Sequence, residues 1–131
     1  MKKVAFVARL ILGLIFFMAG IVGLLQLAPP PPDMPEKLKI FMDGIMATTY
    51  FFPLLKTTET VCGLLLLTGF APALALIILA PIMINILCVH AFLTPGLQNL
   101  ALPLFMLAMQ LLAASAYWPV YQPLFRKNKD L

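Results

Sequence analysis

Four apolar runs, each long enough to cross a bilayer and joined by proline- and glycine-bearing turns, leave this chain few ways to fold. They lie at about 5–27, 49–70, 72–93 and 98–118, and roughly 20 helical residues span a hydrocarbon core. Lipid offers no water to satisfy backbone polar groups, so runs of this length form helices. The connections Gly69-Phe70-Ala71-Pro72 and Thr94-Pro95-Gly96-Leu97 are short enough to force antiparallel neighbours. The expected fold is all-α: an integral membrane four-helix bundle, up-down-up-down, with residues 1–131 as a single domain. Composition agrees. Hydrophobic residues make up 63% of the 131 and charged residues 11%, with mean hydropathy +1.02, against about 25% charged in soluble domains.

The net charge of +4 is topogenic rather than a nucleic-acid footprint. Lys2, Lys3 and Arg9 stand at one end of the chain, and Arg126, Lys127 and Lys129 at the other. Flanks rich in Lys and Arg stay cytoplasmic, and an even number of spans puts both termini there. The first run is longer than a signal-peptide core, and a proline run replaces any small-x-small cleavage site, so it reads as a retained span. Gly13, Gly20 and Gly23 form a small-residue stripe along it, which permits close helix packing. Pro53, Pro81 and Pro103 inside spans are expected to introduce bends that open internal space. Tyr50, Phe51 and Phe52 at one border, with Tyr117, Trp118 and Tyr121 at the other, suit interfacial belts.

Residues 28–48 form the outer loop and 119–131 a cytoplasmic tail. Pro29 to Pro32 make a stiff extended spacer. Asp33 and Glu36 have the spacing of a capping box, and Leu38, Phe41, Met42 and Ile45 recur at helical intervals. The pattern predicts a short amphipathic helix on the outer membrane surface, or else the first turns of the second span.

The second span carries Lys56 and Glu59, and charge at such depth is costly enough to need a partner or a purpose. Lys56 lies thirteen residues before Gly69, and Asn85 thirteen after Pro72. Both therefore stand about 20 Å above the inner turn, with Glu59 one turn deeper on the face of Lys56. Counted inward from the outer turn, Gln110 arrives near the level of Glu59. The expectation is a polar layer of Lys56, Glu59, Asn85 and Gln110 turned inward. It reads either as glue locking three helices or as the polar floor of a ligand cavity. His90, nearer the outer surface, is an interfacial group or a proton-accepting residue at the cavity mouth.

Other chemistry is thinly represented. A metal site is not expected, because His90 is the only histidine and has no carboxylate at ligand spacing. Cys62 and Cys88 differ by about 13 Å along the bundle axis. That is too far for a disulfide, so both read as small buried apolar residues. Phosphate-loop, zinc and nucleophile-elbow motifs are lacking, so no catalytic residue is assigned and no cofactor is evident.

The run PLLKTTETVCGLLLLTGFAPALALIILAPIMINILCVHAFLTP, Pro53 to Pro95, resembles the core of the DoxX family of small bacterial membrane proteins. The likeness rests on Lys56-x-x-Glu59, the glycine and leucine run after it, Asn85-Ile86, His90 and Phe92-Leu93. Ala8 to Ile21, ARLILGLIFFMAGI, resembles the family's Arg-led first helix, though Gly20-Ile21-Val22-Gly23 stands where members often carry a basic residue. The resemblance implies a four-helix protein of the bacterial inner membrane. It also implies association with quinone-linked sulfur oxidation, thiol stress and quinone or catechol resistance, and distant relatives act as membrane chaperones. The expected function is an accessory protein that binds a small hydrophobic redox compound such as a quinone. Any enzyme activity would be that of a subunit in a quinone-linked oxidoreductase. The expected partners are the lipid bilayer, a hydrophobic small molecule and another membrane protein, with no nucleic acid. The alternative is a structural partner or chaperone whose polar cluster serves only helix packing.

Overall fold

A computed structural model describes residues 2–27, 33–94 and 96–126. The helices are α1 (Lys2–Leu24), α2 (Glu36–Ala47), α3 (Phe51–Thr68), α4 (Pro72–Cys88), α5 (Ala101–Ser115) and α6 (Trp118–Tyr121). A π-helical turn, Val89–Leu93, extends α4; a 3₁₀ turn, Leu97–Leu100, leads into α5, and another, Gln122–Phe125, follows α6. Among the described residues there is no strand. Lys2–Leu24, Phe51–Thr68, Pro72–Leu93 and Leu97–Ser115 are each long and apolar enough to cross a membrane. The all-α four-span architecture is thus the one expected.

The turn between α3 and α4 is set by local chemistry. Gly69 takes φ +78°, and its N–H donates to the Leu65 carbonyl, ending α3. Pro72 then opens α4 at a position where its missing N–H costs nothing. Around the bundle the order is α1, α3, α4, α5, with α1 packed on both α3 and α5. Leu12 and Phe16 of α1, Leu66 of α3, and Leu79 and Met83 of α4 are fully buried between them. Leu14, Leu54, Ile84 and Leu111 point outward, as helices solvated by lipid require. Arg9 reaches Tyr117 and Tyr121 reaches Ala73, so the α3–α4 turn and both ends of the described chain share one end of the bundle. That end is called the terminal end below, and the opposite one the loop end.

The tightest contact joins α1 to α3. A Cβ on Gly20 would stand 2.8 Å from the Lys56 carbonyl oxygen, and one on Gly63 would stand 2.7 Å from the Gly13 carbonyl oxygen. Only hydrogen fits at either place. The glycine stripe of α1 is therefore used inside the molecule and is not free to meet a partner. Pro53 and Pro103 fall third in α3 and α5, within the first turn, where a missing N–H is harmless. Among the described prolines, Pro81 alone sits in a helix interior.

Helix α2 is separate from the second span: Thr48–Tyr50 break the chain, and Thr49 takes φ +65°. The Thr48 hydroxyl donates to the Ile45 carbonyl and accepts the Phe51 N–H, tying the end of α2 to the start of α3. Leu38, Phe41, Met42 and Ile45 are the half-buried residues of α2, and the rest of that helix is exposed. The expected capping box does not form. Pro35, not Asp33, is the N-cap residue, and no side chain caps the helix. The proposed spacer of Pro29 to Pro32 lies outside the described residues.

Adding one methyl at the α1–α3 contact tests its closeness. Gly20→Ala and Gly63→Ala should each destabilise the bundle by about 1–3 kcal/mol through overpacking, seen as a lower melting temperature in detergent. Gly44→Ala on α2, where nothing lies within 4 Å of the new Cβ, should be neutral or stabilising by up to about 1 kcal/mol.

Candidate functional site

The Lys56–Glu59 pair forms as the i,i+3 spacing requires. Lys56 Nζ lies 3.1 Å from Glu59 Oε2, and the glutamate side chain is only 6% exposed. The aliphatic stem of Lys56 crosses Gly23 of α1, where a Cβ would come within 2.5 Å of Cδ. Its ammonium sits 5.5 Å from the Phe52 ring centroid. On the same helix the Thr60 hydroxyl donates to the Lys56 carbonyl. The two ions neutralise each other between α1 and α3, and removing one partner would strand the other in a dry place.

The structure does not bring Asn85 to that pair. Asn85 is exposed, whereas the buried residues of α4 are Ala75, Leu76, Leu79 and Met83. Two residues beyond Met83 is a rotation of about 200°, which turns the amide away from the core. Gln110 is buried as expected but lies deeper. Its Nε2 donates to the Leu76 carbonyl at 3.0 Å, about 6 Å above the α3–α4 turn against about 15 Å for Glu59. The physical reason lies at the loop end. The 3₁₀ turn before α5 rises faster per residue than an α-helix, and the wider π turn of α4 rises more slowly. Both shift α5 toward the terminal end relative to a count made with α-helices. Gln110 Oε1 is buried and has no hydrogen-bond partner among the described residues. The cysteines are free; Cys62 is buried, but Cys88 is exposed on the same outward side as Asn85. No group of three or more metal-binding side chains occurs among the described residues.

His90 stands apart, at the loop end. It belongs to the π turn, and its Nδ1 lies 2.8 Å from the Ile86 carbonyl oxygen. A carbonyl only accepts, so Nδ1 carries a proton, and in the neutral form of the ring Nε2 is the acceptor. Thr94 in turn donates to the His90 carbonyl. Side-chain donors thus bond to carbonyls within and just before the widened turn. Beside it opens a cleft of about 600 Å³, lined by Pro35, Glu36 and Lys37 at the start of α2, by residues His90 through Thr94, and by Gly96, Leu97 and Leu100. Neither Lys56 nor Glu59 lines it.

At the terminal end the structure gives Arg9 a packing role beyond that of a topogenic charge. Its Nη1 donates to the Tyr117 hydroxyl at 3.0 Å, the guanidinium stacks 4.8 Å from the Phe6 centroid, and Nε is buried without a hydrogen-bond partner among the described residues. A Cβ at Gly69 would meet both terminal nitrogens at 3.4 Å, so the cation packs on the C-terminal end of α3, a favourable place for positive charge. The signal was its phase: Arg9 shares the interior stripe of Ala5, Leu12 and Phe16. Nearby, the Tyr121 hydroxyl donates to the Ala73 carbonyl at 2.7 Å. Burial, with a smaller contribution from Tyr117, pushes its phenol up to about 12.

A family model described as DoxX matches residues 4–91, more than half of the chain. No curated protein and no solved structure shows a match.

Two outcomes follow for stability. Lys56→Met alone should cost up to about 3 kcal/mol, and adding Glu59→Gln should restore most of it, as read by detergent melts. For Tyr121 the folded state holds the proton more tightly than the unfolded one. Its contribution is therefore complete below about pH 10 and lost as pH rises through about 12. Tyr121→Phe should flatten that decline in a stability-versus-pH series.

Proposed function

Because the chain belongs to the DoxX family, we propose that it is an accessory protein of the bacterial inner membrane that binds a small hydrophobic redox compound of the quinone and hydroquinone class. Both termini face the cytoplasm, as the basic residues of the two flanks require, and the loop-end cleft opens toward the outer leaflet. In this reading the protein is a binding component, with electrons supplied and removed by a partner.

The observation that carries this reading is His90 at the cleft wall with one ring nitrogen committed to Ile86 and the other left as an acceptor. An acceptor at the edge of an apolar wall suits the hydroxyl of a reduced, phenolic ring. Lys37, which also lines the cleft, carries an ammonium that suits the carbonyl oxygen of the oxidised form. Phe92, Leu97 and Leu100 supply the apolar surface. A volume of about 600 Å³ is in the usual range for a small-molecule site. Single π turns also recur at functional positions in helices. Lys56 and Glu59 lie outside the cleft, where the Lys56 stem packed on Gly23 helps hold α1 on α3. Gln110, with its free acceptor, stays within the core, and Asn85 lies outside the ligand's reach.

A structural partner or chaperone is the second reading. What favours it is that the ion pair and the Gln110 amide donor are already consumed inside the bundle.

A short-chain benzoquinol titrated into the purified protein separates the two. Binding should be measurable by calorimetry, and His90→Ala should weaken it roughly 3–10-fold, one hydrogen bond's worth, with the melting temperature unchanged. A protein that binds neither the quinol nor the quinone, yet copurifies stoichiometrically with another membrane protein, would establish the structural role instead.

A further inference from the structure

The outward face of α4 carries polarity that lipid cannot satisfy. Asn85 is exposed, and none of the hydrogen bonds among the described residues involves its carboxamide. The continuous helix from α4 through its π turn covers Pro72–Leu93, 22 residues. Asn85 stands about 20 Å from one end of it and at most about 12 Å from the other. A side chain that short cannot reach the headgroups from there, and an unsatisfied amide in hydrocarbon is strongly disfavoured.

A second observation falls on the same stripe. Pro81, inside α4 and exposed, has no N–H to give the Ile77 carbonyl one turn earlier, and Ile77 is 45% exposed. Ile77, Pro81 and Asn85 follow each other at intervals of four, and exposed Cys88 comes one turn further. A backbone acceptor without its usual donor, a carboxamide and a thiol therefore line one side of a helix whose other side is core.

We infer that this stripe is the interface of a symmetric homodimer, with α4 packed against α4 of a second copy and Asn85 paired with Asn85 across the two-fold axis. Self-complementarity selects the occupant. A carboxamide carries both donor and acceptor, so two of them satisfy each other by reciprocal hydrogen bonds. Copies inserted with the same topology have their two-fold axis along the membrane normal, which sets identical residues at identical depth. A different partner would need a matching amide at that level; a second copy has one by construction. The glycine stripe of α1 cannot serve this purpose, being already closed by α3. The inference is independent of the cleft at His90, which lies off this stripe.

The test uses the full chain in lipid vesicles, with oligomeric state followed by single-molecule photobleaching across protein-to-lipid ratios. The wild type should be dimeric, and Asn85→Leu should raise the dissociation mole fraction roughly tenfold. Asn85→Gln, which keeps the amide, should remain dimeric. Cys88, one turn from Asn85, should be trapped as a disulfide-linked dimer when iodine removes two electrons from the two thiols. Buried Cys62 should not be trapped, and Cys88→Ser should abolish the product. A wild-type protein that stays monomeric at every ratio would overturn the inference. So would an Asn85→Leu variant that dimerises as tightly as the parent, or a lipid or foreign protein found on this stripe in place of a second copy.

Discussion

The backbone contact between α1 and α3 is what the rest of the bundle is arranged around. Gly20 and Gly63 let two helices approach until main-chain atoms of one touch those of the other, and this approach brings Gly23 under the stem of Lys56. The lysine then lies along the seam with its ammonium on Glu59, and the carboxylate is covered. Small residues and a neutralised pair therefore act on one interface. Dispersion between close backbones supplies attraction where water supplies none, and the ion pair penalises any arrangement that separates the two charges.

The polar groups then divide by depth. At the terminal end Arg9, Tyr117 and Tyr121 knit α1, α5 and α6 to the α3–α4 turn, combining a cation at a helix C-terminal end with a phenol-to-carbonyl bond. In the middle, Lys56 and Glu59 pair within α3 while Gln110 joins α5 to the Leu76 carbonyl of α4, so the two do not form one shared layer. At the loop end the π turn carries His90 to a cleft roofed by the start of α2. Structural polarity sits at the terminal end and the centre, while the only histidine sits beside open volume at the loop end. That separation supports the binding role proposed for the loop end.

Much of this was legible in the residues. The apolar runs and the Gly69 to Pro72 turn located the spans, and Leu38, Phe41, Met42 and Ile45 marked the face that α2 buries. Lys56 and Glu59 at i,i+3 had only each other within easy reach. That the polar residues do not share one layer was not legible from depth alone, because rotation about each helix axis decides which side chains meet. Ala75, Leu79 and Met83 at intervals of four already marked the core face of α4, and Asn85 and Cys88 fall off it. Gln110 was displaced by two non-α turns near Pro95, where rise per residue departs from the α value in opposite senses on the two helices. Sequence periodicity does not announce such turns, so register beyond them could not be counted.

The most direct measurement is the proximity of the Lys56 side-chain nitrogen to the Glu59 carboxyl carbon, taken by solid-state NMR dipolar recoupling on labelled protein in bilayers. A nitrogen 3.1 Å from the carboxylate oxygen should give strong, salt-insensitive transfer between the two sites. A mobile lysine signal with no transfer to Glu59 would mean that the ammonium has left the seam for the headgroups, contradicting the close α1–α3 arrangement described for this bundle.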